Sequence, residues 1–146
     1  MGSLKLPISG IVYADAQVFI YSVEKHPEYS ALLRPLWQAL QAGKIEVVTS
    51  ELTLMEVLVL PLKQGNTSLV ADYERFFELS GLRLLPIDRP VLREAARLRA
   101  SHPPLHTPDA LHIASAILSG SSVLLTNDKD FRTFSPVSVG FLSSHL

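Results

Sequence analysis

The sequence predicts an α/β fold in which a four- to five-stranded parallel sheet carries helices on both faces. Short runs rich in β-branched and aliphatic residues alternate with longer amphipathic segments along the chain, the order that parallel sheets with crossover helices require. At 146 residues, with 47% hydrophobic and 18% charged side chains, the chain is long enough for one core and too apolar for disorder. A single domain over residues 1–146 is expected, with residues 1–9 as a flexible N-terminus.

Residues 11–14 (Ile-Val-Tyr-Ala) read as the first strand, and a helix follows from about Gln17 to Glu24. Pro27 ends it. The spacing of Leu32, Leu33, Leu36, Trp37 and Leu40 predicts an amphipathic helix over 29–42, closed by Gly43, a helix C-cap signal. Residues 45–48 form the second strand. Thr49-Ser50 offers an N-cap to a helix from Glu51 to about Leu60. The apolar run 52–62 around it reads as a buried helix and falls short of the roughly 18 to 20 residues that span a bilayer. After the turn at Gln64-Gly65-Asn66, a helix over 68–79 leads to a third strand at 82–85. Pro90 behind Asp88 starts a helix to about Ala100. Thr107-Pro108-Asp109 repeats that cap-then-proline signature and starts a helix to Leu118. Gly120 ends it, 123–125 is the fourth strand, and 137–141 the fifth.

Composition narrows the functions available. The net charge is −1, from 13 basic and 14 acidic side chains, so a nucleic-acid partner would have to meet a local basic surface. The chain has no cysteine, which removes disulfides, thiolate metal sites and cysteine nucleophiles. The cytoplasm is the expected compartment, with no membrane partner.

Four carboxylates stand where apolar segments end or where apolar helices should have none. Asp15 closes the first strand. Glu56 is the lone charge between Leu52 and Leu62. Asp109 opens an apolar helix, and Asp128 follows the fourth strand. A carboxylate is costly to desolvate unless paired, neutralised or bound to metal. Each acid has a structural alternative: Asp15 as a helix cap, Asp109 as a first-turn acid at the helix dipole, Asp128 as a turn residue, Glu56 as a satisfied core group. Ligand sites of doubly wound folds lie outside the carboxyl ends of their strands, where Asp15 and Asp128 fall. Together the four are candidates for one site holding Mg²⁺ or Mn²⁺, hard cations that take oxygen ligands and substrate phosphates.

Other polar residues are supporting candidates. Thr126, Asn127 and Gln17 could orient ligands or waters, and Asp130 could join through loop geometry. His112, three residues after Asp109, reads first as a hydrogen-bonded core residue. His106, Lys129 and the stripe Arg89, Arg93 and Arg97 are candidate RNA contacts.

Four segments carry a family resemblance: Val12-Tyr13-Ala14-Asp15-Ala16-Gln17-Val18-Phe19-Ile20-Tyr21, Thr49-Ser50-Glu51-Leu52-Thr53-Leu54-Met55-Glu56-Val57, Thr107-Pro108-Asp109-Ala110-Leu111-His112-Ile113-Ala114 and Leu125-Thr126-Asn127-Asp128-Lys129-Asp130-Phe131. Their order and content resemble the PIN-domain ribonucleases, in particular VapC-type toxins of toxin–antitoxin pairs. The resemblance implies a three-layer α/β/α sandwich, metal-dependent endonucleolytic cleavage of RNA and an acidic site of Asp15, Glu56, Asp109 and Asp128. It also implies a homodimer and a small antitoxin partner whose tail covers the site. Gln17 departs from the pattern, which commonly has asparagine or serine there, and its longer side chain is expected to alter the local geometry.

Neither an aspartyl phosphatase nor a phospho-receiver fits. The first wants a second aspartate where Gln17 stands, and the second an aspartate directly after the third strand, where Pro86 stands. The alternative to the nuclease is a catalytically impaired PIN-like module that binds RNA or protein.

Overall fold

The protein is described from a computed structural model, which describes residues 2–132 and 136–145. Residues 1 and 146, the outer bounds of the expected domain, lie outside that range. The chain runs β1 (Ile11–Ala14), α1 (Ala16–Val23), α2 (Tyr29–Gln41), β2 (Glu46–Ser50), α3 (Glu51–Lys63), α4 (Thr67–Phe76), β3 (Leu82–Leu85), α5 (Arg89–Ser101), α6 (Thr107–Leu118), β4 (Val123–Thr126) and β5 (Val139–Phe141). Short 3₁₀ turns follow β4 (Lys129–Arg132) and β5 (Leu142–His145).

All five strands are parallel, in the order β3-β2-β1-β4-β5. The strand order reverses direction between β1 and β4, where a doubly wound sheet opens its binding crevice. Tyr13 pairs in register with Val48 on one side and Leu124 on the other. Successive side chains of a strand take opposite faces, and β1 shows it. Val12 and Ala14 join a core with Val18, Phe19, Leu33, Leu36 and Tyr73 of α1, α2 and α4. Tyr13 joins the second core, with Val91, Ala95 and Leu98 of α5 and Ala110, Ile113 and Ala114 of α6. The result is the three-layer α/β/α sandwich.

Local chemistry sets the helix starts. Ser50 caps α3 by accepting from Leu52 N at 3.0 Å, and Asp88 caps α5 by accepting from Val91 N at 3.2 Å. Helix α6 departs from the expected pattern. Its N-cap residue is His106, with no side-chain cap bond, and the Thr107 hydroxyl instead accepts from Arg99 Nη1 at 2.9 Å. Arg99 Nε also donates to the Leu105 carbonyl at 2.9 Å, so one guanidinium clasps the α5–α6 loop.

Helix α3 also corrects an expectation. It runs through Pro61 to Lys63, and it is not buried all round. Its inward stripe is Thr53, Val57 and Pro61, whereas Met55, Val59, Leu60 and Leu62 are more than half exposed. A helix apolar on every side offers no periodicity to tell inside from outside. At the N-terminus, Leu4 is buried in the first core, and the Ser3 carbonyl accepts from His145 Nδ1 at 3.1 Å. Among the described residues, no helix is long and apolar enough to cross a membrane.

Gly81, which leads into β3, has φ +86°, and a Cβ there would meet Leu40 Cδ1 at 2.8 Å. Gly81→Ala should therefore lower stability by about 1–2 kcal/mol through combined strain and contact, seen as a lower urea midpoint with an unchanged m-value.

Candidate active site

Asp15 follows the last residue of β1 and caps α1. Its Oδ1 accepts from Gln17 N at 3.0 Å and Val18 N at 3.4 Å, so the capping alternative is realised. The other oxygen accepts from the Thr126 hydroxyl at the end of β4. Asp15 is only 5% exposed, and burial raises its carboxyl to about 6, against the pull of the Thr126 hydroxyl and the helix N–H groups. Each carboxylate oxygen has two acceptor sites, so these bonds leave room for a further ligand.

The end of β4 is shaped by its own short polar residues. Thr126 Oγ1 accepts from Asp128 N at 2.9 Å, and Asp128 Oδ1 accepts from Asp130 N at 2.9 Å. This turn brings both aspartates round toward α6. Asn127 faces away from them: its Nδ2 donates to Tyr21 Oη at 3.3 Å and its Oδ1 accepts from Ser143 N at 2.9 Å. Gln17 Oε1 accepts from Asn127 N at 2.9 Å. The longer side chain at this position thus ties α1 to the end of β4.

Asp109 sits in the first turn of α6 and is 8% exposed. Its carboxyl is raised to about 6, first by burial and then by the charges of Asp128 and Asp130, with His106 partly offsetting them. His106 Nδ1 lies 3.8 Å from Asp109 Oδ2 and 3.8 Å from Asp130 Oδ2. These three residues could together hold a metal ion, their ligand atoms lying within 4.8 Å of one another. Asp130, expected to join only through loop geometry, is thus brought beside Asp109 and His106.

Glu56 has a partner of its own. Its Oε1 lies 2.7 Å from His112 Nε2, and His112 Nδ1 lies 2.6 Å from Tyr13 Oη, which also accepts from Ser50 N at 3.1 Å. His112 is 3% exposed and Tyr13 fully buried, so His112 is the hydrogen-bonded core residue expected of it. Tyr13 was the residue missed. The available signal was a tyrosine inside an aliphatic strand, since a buried phenol wants a hydrogen-bond partner.

The basic candidates divide. His106 and Lys129 are exposed beside the acids. Arg97 is ion-paired to Glu94. Arg99 Nη1 reaches Thr107, while Asp88, Pro90 and Val91 share a hollow with Ser115, Leu118 and Ser119. Helices α5 and α6 are thus antiparallel, and Arg93 and Arg89 lie progressively farther from Asp109.

The donor chemistry fits a divalent hard cation. Among the described residues, neither Asp15 nor Asp109 has a lysine or arginine partner. Buried oxygen donors that burial and mutual repulsion push toward neutrality are relieved by a dication. The fold and site define a class: a doubly wound parallel sheet with the buried Asp15 at its switch point, and a cluster of His106, Asp109 and Asp130 that could hold a metal ion. The chain belongs to the PIN domain family, whose model it matches over residues 12–135.

Solved structures agree with the VapC-type resemblance. VapBC2 from Rickettsia felis, solved bound to a DNA fragment from its promoter, is 18% identical with a TM-score of 0.72, covering 90% of this chain and 98% of its own. VapC20 from Mycobacterium tuberculosis, a sarcin-ricin loop cleaving toxin, is 16% identical with a TM-score of 0.66, covering 84% and 93%. VapBC-5 from Mycobacterium tuberculosis is 25% identical with a TM-score of 0.57, covering 92% and 98%. No curated protein matches the sequence.

Two predictions follow from the carboxyl environments. A raised acid contributes stability below its unfolded value of 3.8 and loses it as pH rises through about 6. Metal-free protein should therefore lose stability between roughly pH 4 and 7, on the order of 2–3 kcal/mol for each of Asp15 and Asp109. Calorimetric melts across that range should show the fall, and Asp15→Asn should flatten its share. Thr126→Val should lower stability by about 1–3 kcal/mol, because it leaves the buried Asp15 oxygen and Asp128 N unpaired. It should also drive the Asp15 carboxyl higher in an NMR titration, whereas Thr126→Ser should retain both bonds.

Proposed function

We propose that this protein is a divalent-metal-dependent endoribonuclease, the toxin component of a toxin–antitoxin pair. One observation carries the reading. Asp15, joining the ends of β1 and β4, and Asp109, in the first turn of α6, are buried without a lysine or arginine partner among the described residues, with Asp128 and Asp130 beside Asp109. An arrangement so unfavourable alone makes sense as one made for a cation.

Asp15, Asp109 and Asp128, with Glu56 behind them, would hold Mg²⁺ or Mn²⁺. When bound, such an ion lowers the pKa of a coordinated water and neutralises charge developing on a phosphoryl group. The chain supplies the rest. The α1 N–H groups and the Thr126 hydroxyl hold Asp15 in one orientation, and the 128–130 turn does the same for Asp128. Exposed His106 and Lys129 flank the acids, and the Lys129 charge would meet a phosphodiester backbone locally despite the net charge of −1.

RNA as substrate is supported by the likeness to a sarcin-ricin loop cleaving toxin. An antitoxin partner is supported by the likeness to proteins from toxin–antitoxin complexes, and a homodimer by the family resemblance. The protein would act in the cytoplasm, where its RNA is.

Purified protein, freed of any antitoxin, should cut RNA with Mg²⁺ or Mn²⁺ and stop on chelation. Asp15→Asn and Asp109→Asn should each lower the rate on the order of a hundredfold or more, as expected on losing a charge-stabilising group, with the fold retained. RNA binding without cleavage under either metal would replace this reading with that of a binding module.

A further inference from the structure

We infer that His112 is a positioning residue for Glu56, holding its carboxylate through a one-way hydrogen-bond chain that starts at the Ser50 backbone N–H and passes through Tyr13. The inference rests on the nuclease reading above and adds to it a residue from outside the four acids.

Donor and acceptor accounting gives the chain its direction. Tyr13 Oη accepts from Ser50 N at 3.1 Å, a backbone N–H that can only donate. Burial pushes the phenol's ionisation up, so its proton stays, and toward a neutral His112 whose Nε2 faces a carboxylate oxygen that proton is donated to Nδ1 at 2.6 Å. An Nδ1 that accepts places the proton of the neutral ring on Nε2, which donates to Glu56 Oε1 at 2.7 Å. The opposite tautomer would set a bare Nε2 against a carboxylate oxygen, two acceptors facing each other. Only one neutral tautomer satisfies both bonds.

The geometry makes this more than a satisfied core histidine. Glu56 has a side chain 28% exposed, at the edge where it could swing into solvent. His112 is 4% exposed in its side chain, locked on α6 three residues after Asp109. Its bond commits Oε1 and leaves Oε2 as the oxygen available to a ligand. Helix α6 thus places two acids: Asp109 directly, and Glu56 across the gap to α3 through the imidazole. Outer partners that orient metal-binding groups act in this way.

The test combines a spectroscopic and a functional readout on the full chain. In ¹⁵N-histidine NMR spectra of the wild type, His112 should show a pyridine-type Nδ1 and a pyrrole-type Nε2. The reversed pattern would overturn the inference. Mn²⁺ binding, read from free Mn²⁺ by EPR, should weaken roughly 10- to 100-fold in His112→Ala, and kcat for RNA should fall while KM changes little. His112→Gln can accept and donate along the same path and should restore part of both. Tyr13→Phe should shift them in the same direction by less. A folded His112→Ala with wild-type Mn²⁺ affinity and kcat sinks the proposal. If His112→Ala does not fold, Tyr13→Phe and the tautomer decide. A wild type that neither binds Mn²⁺ nor cuts RNA refutes the nuclease reading instead, and the tautomer still tests the chain's direction.

Discussion

The hydroxyl of Thr126 donating to Asp15 is the interaction on which the site's architecture turns. It joins the carboxyl ends of β1 and β4, the neighbours between which the sheet reverses its order. The same Asp15 starts α1 through its backbone N–H bonds, and the same Thr126 oxygen starts the turn that carries Asp128 and Asp130. One contact thereby sets the direction of a helix and a loop. It also holds a carboxylate in a place where burial disfavours its charge. A folded domain is stable by only a few kcal/mol, so tolerating such a group requires the two apolar cores on either side of the sheet to offset it.

The two faces of the sheet contribute differently. The layer of α1, α2 and α4 is a conventional apolar core, with Phe19 in contact with Trp37, Phe76 and Phe77. The layer of α5 and α6 contains a polar chain through its interior, from Ser50 through Tyr13 and His112 to Glu56. Buried polar networks stabilise only when every member is satisfied. This one ends on a carboxylate near the surface, where a further ligand can reach it. Sheet, helix and Glu56 are coupled there by hydrogen bonds with little rotational freedom.

Much of the fold was legible in the sequence because the punctuation is explicit. Asp88-Arg89-Pro90 and Ser50 mark helix starts by the chemistry of unsatisfied N–H groups, and Gly43, with φ +70°, marks a helix end. The four acids were legible as misfits of polarity. Two kinds of feature were not. Side-chain partners distant in sequence, such as Gln17 with Asn127 or Arg99 with the α5–α6 loop, depend on which elements meet and leave no local trace. The exposed side of α3 could not be read because residues 52–62 are apolar at nearly every helical phase, so only the contacts decide which stripe faces inward. Tyr13 lay between. Its burial followed from its strand, but its partner required knowing that α6 crosses over that strand.

Helix α3 also offers oxidants a target. The chain has no cysteine and two methionines, and Met55 is 56% exposed on the apolar side of that helix, next to Glu56 in the chain. With no thiol in the chain, this exposed thioether is open to peroxide. The sulfoxide is polar and chiral, so one added oxygen converts part of the helix's most water-averse surface into a hydrogen-bond acceptor while leaving both cores untouched. Peptide mass mapping after mild peroxide treatment would locate that oxygen on the peptide containing Met55.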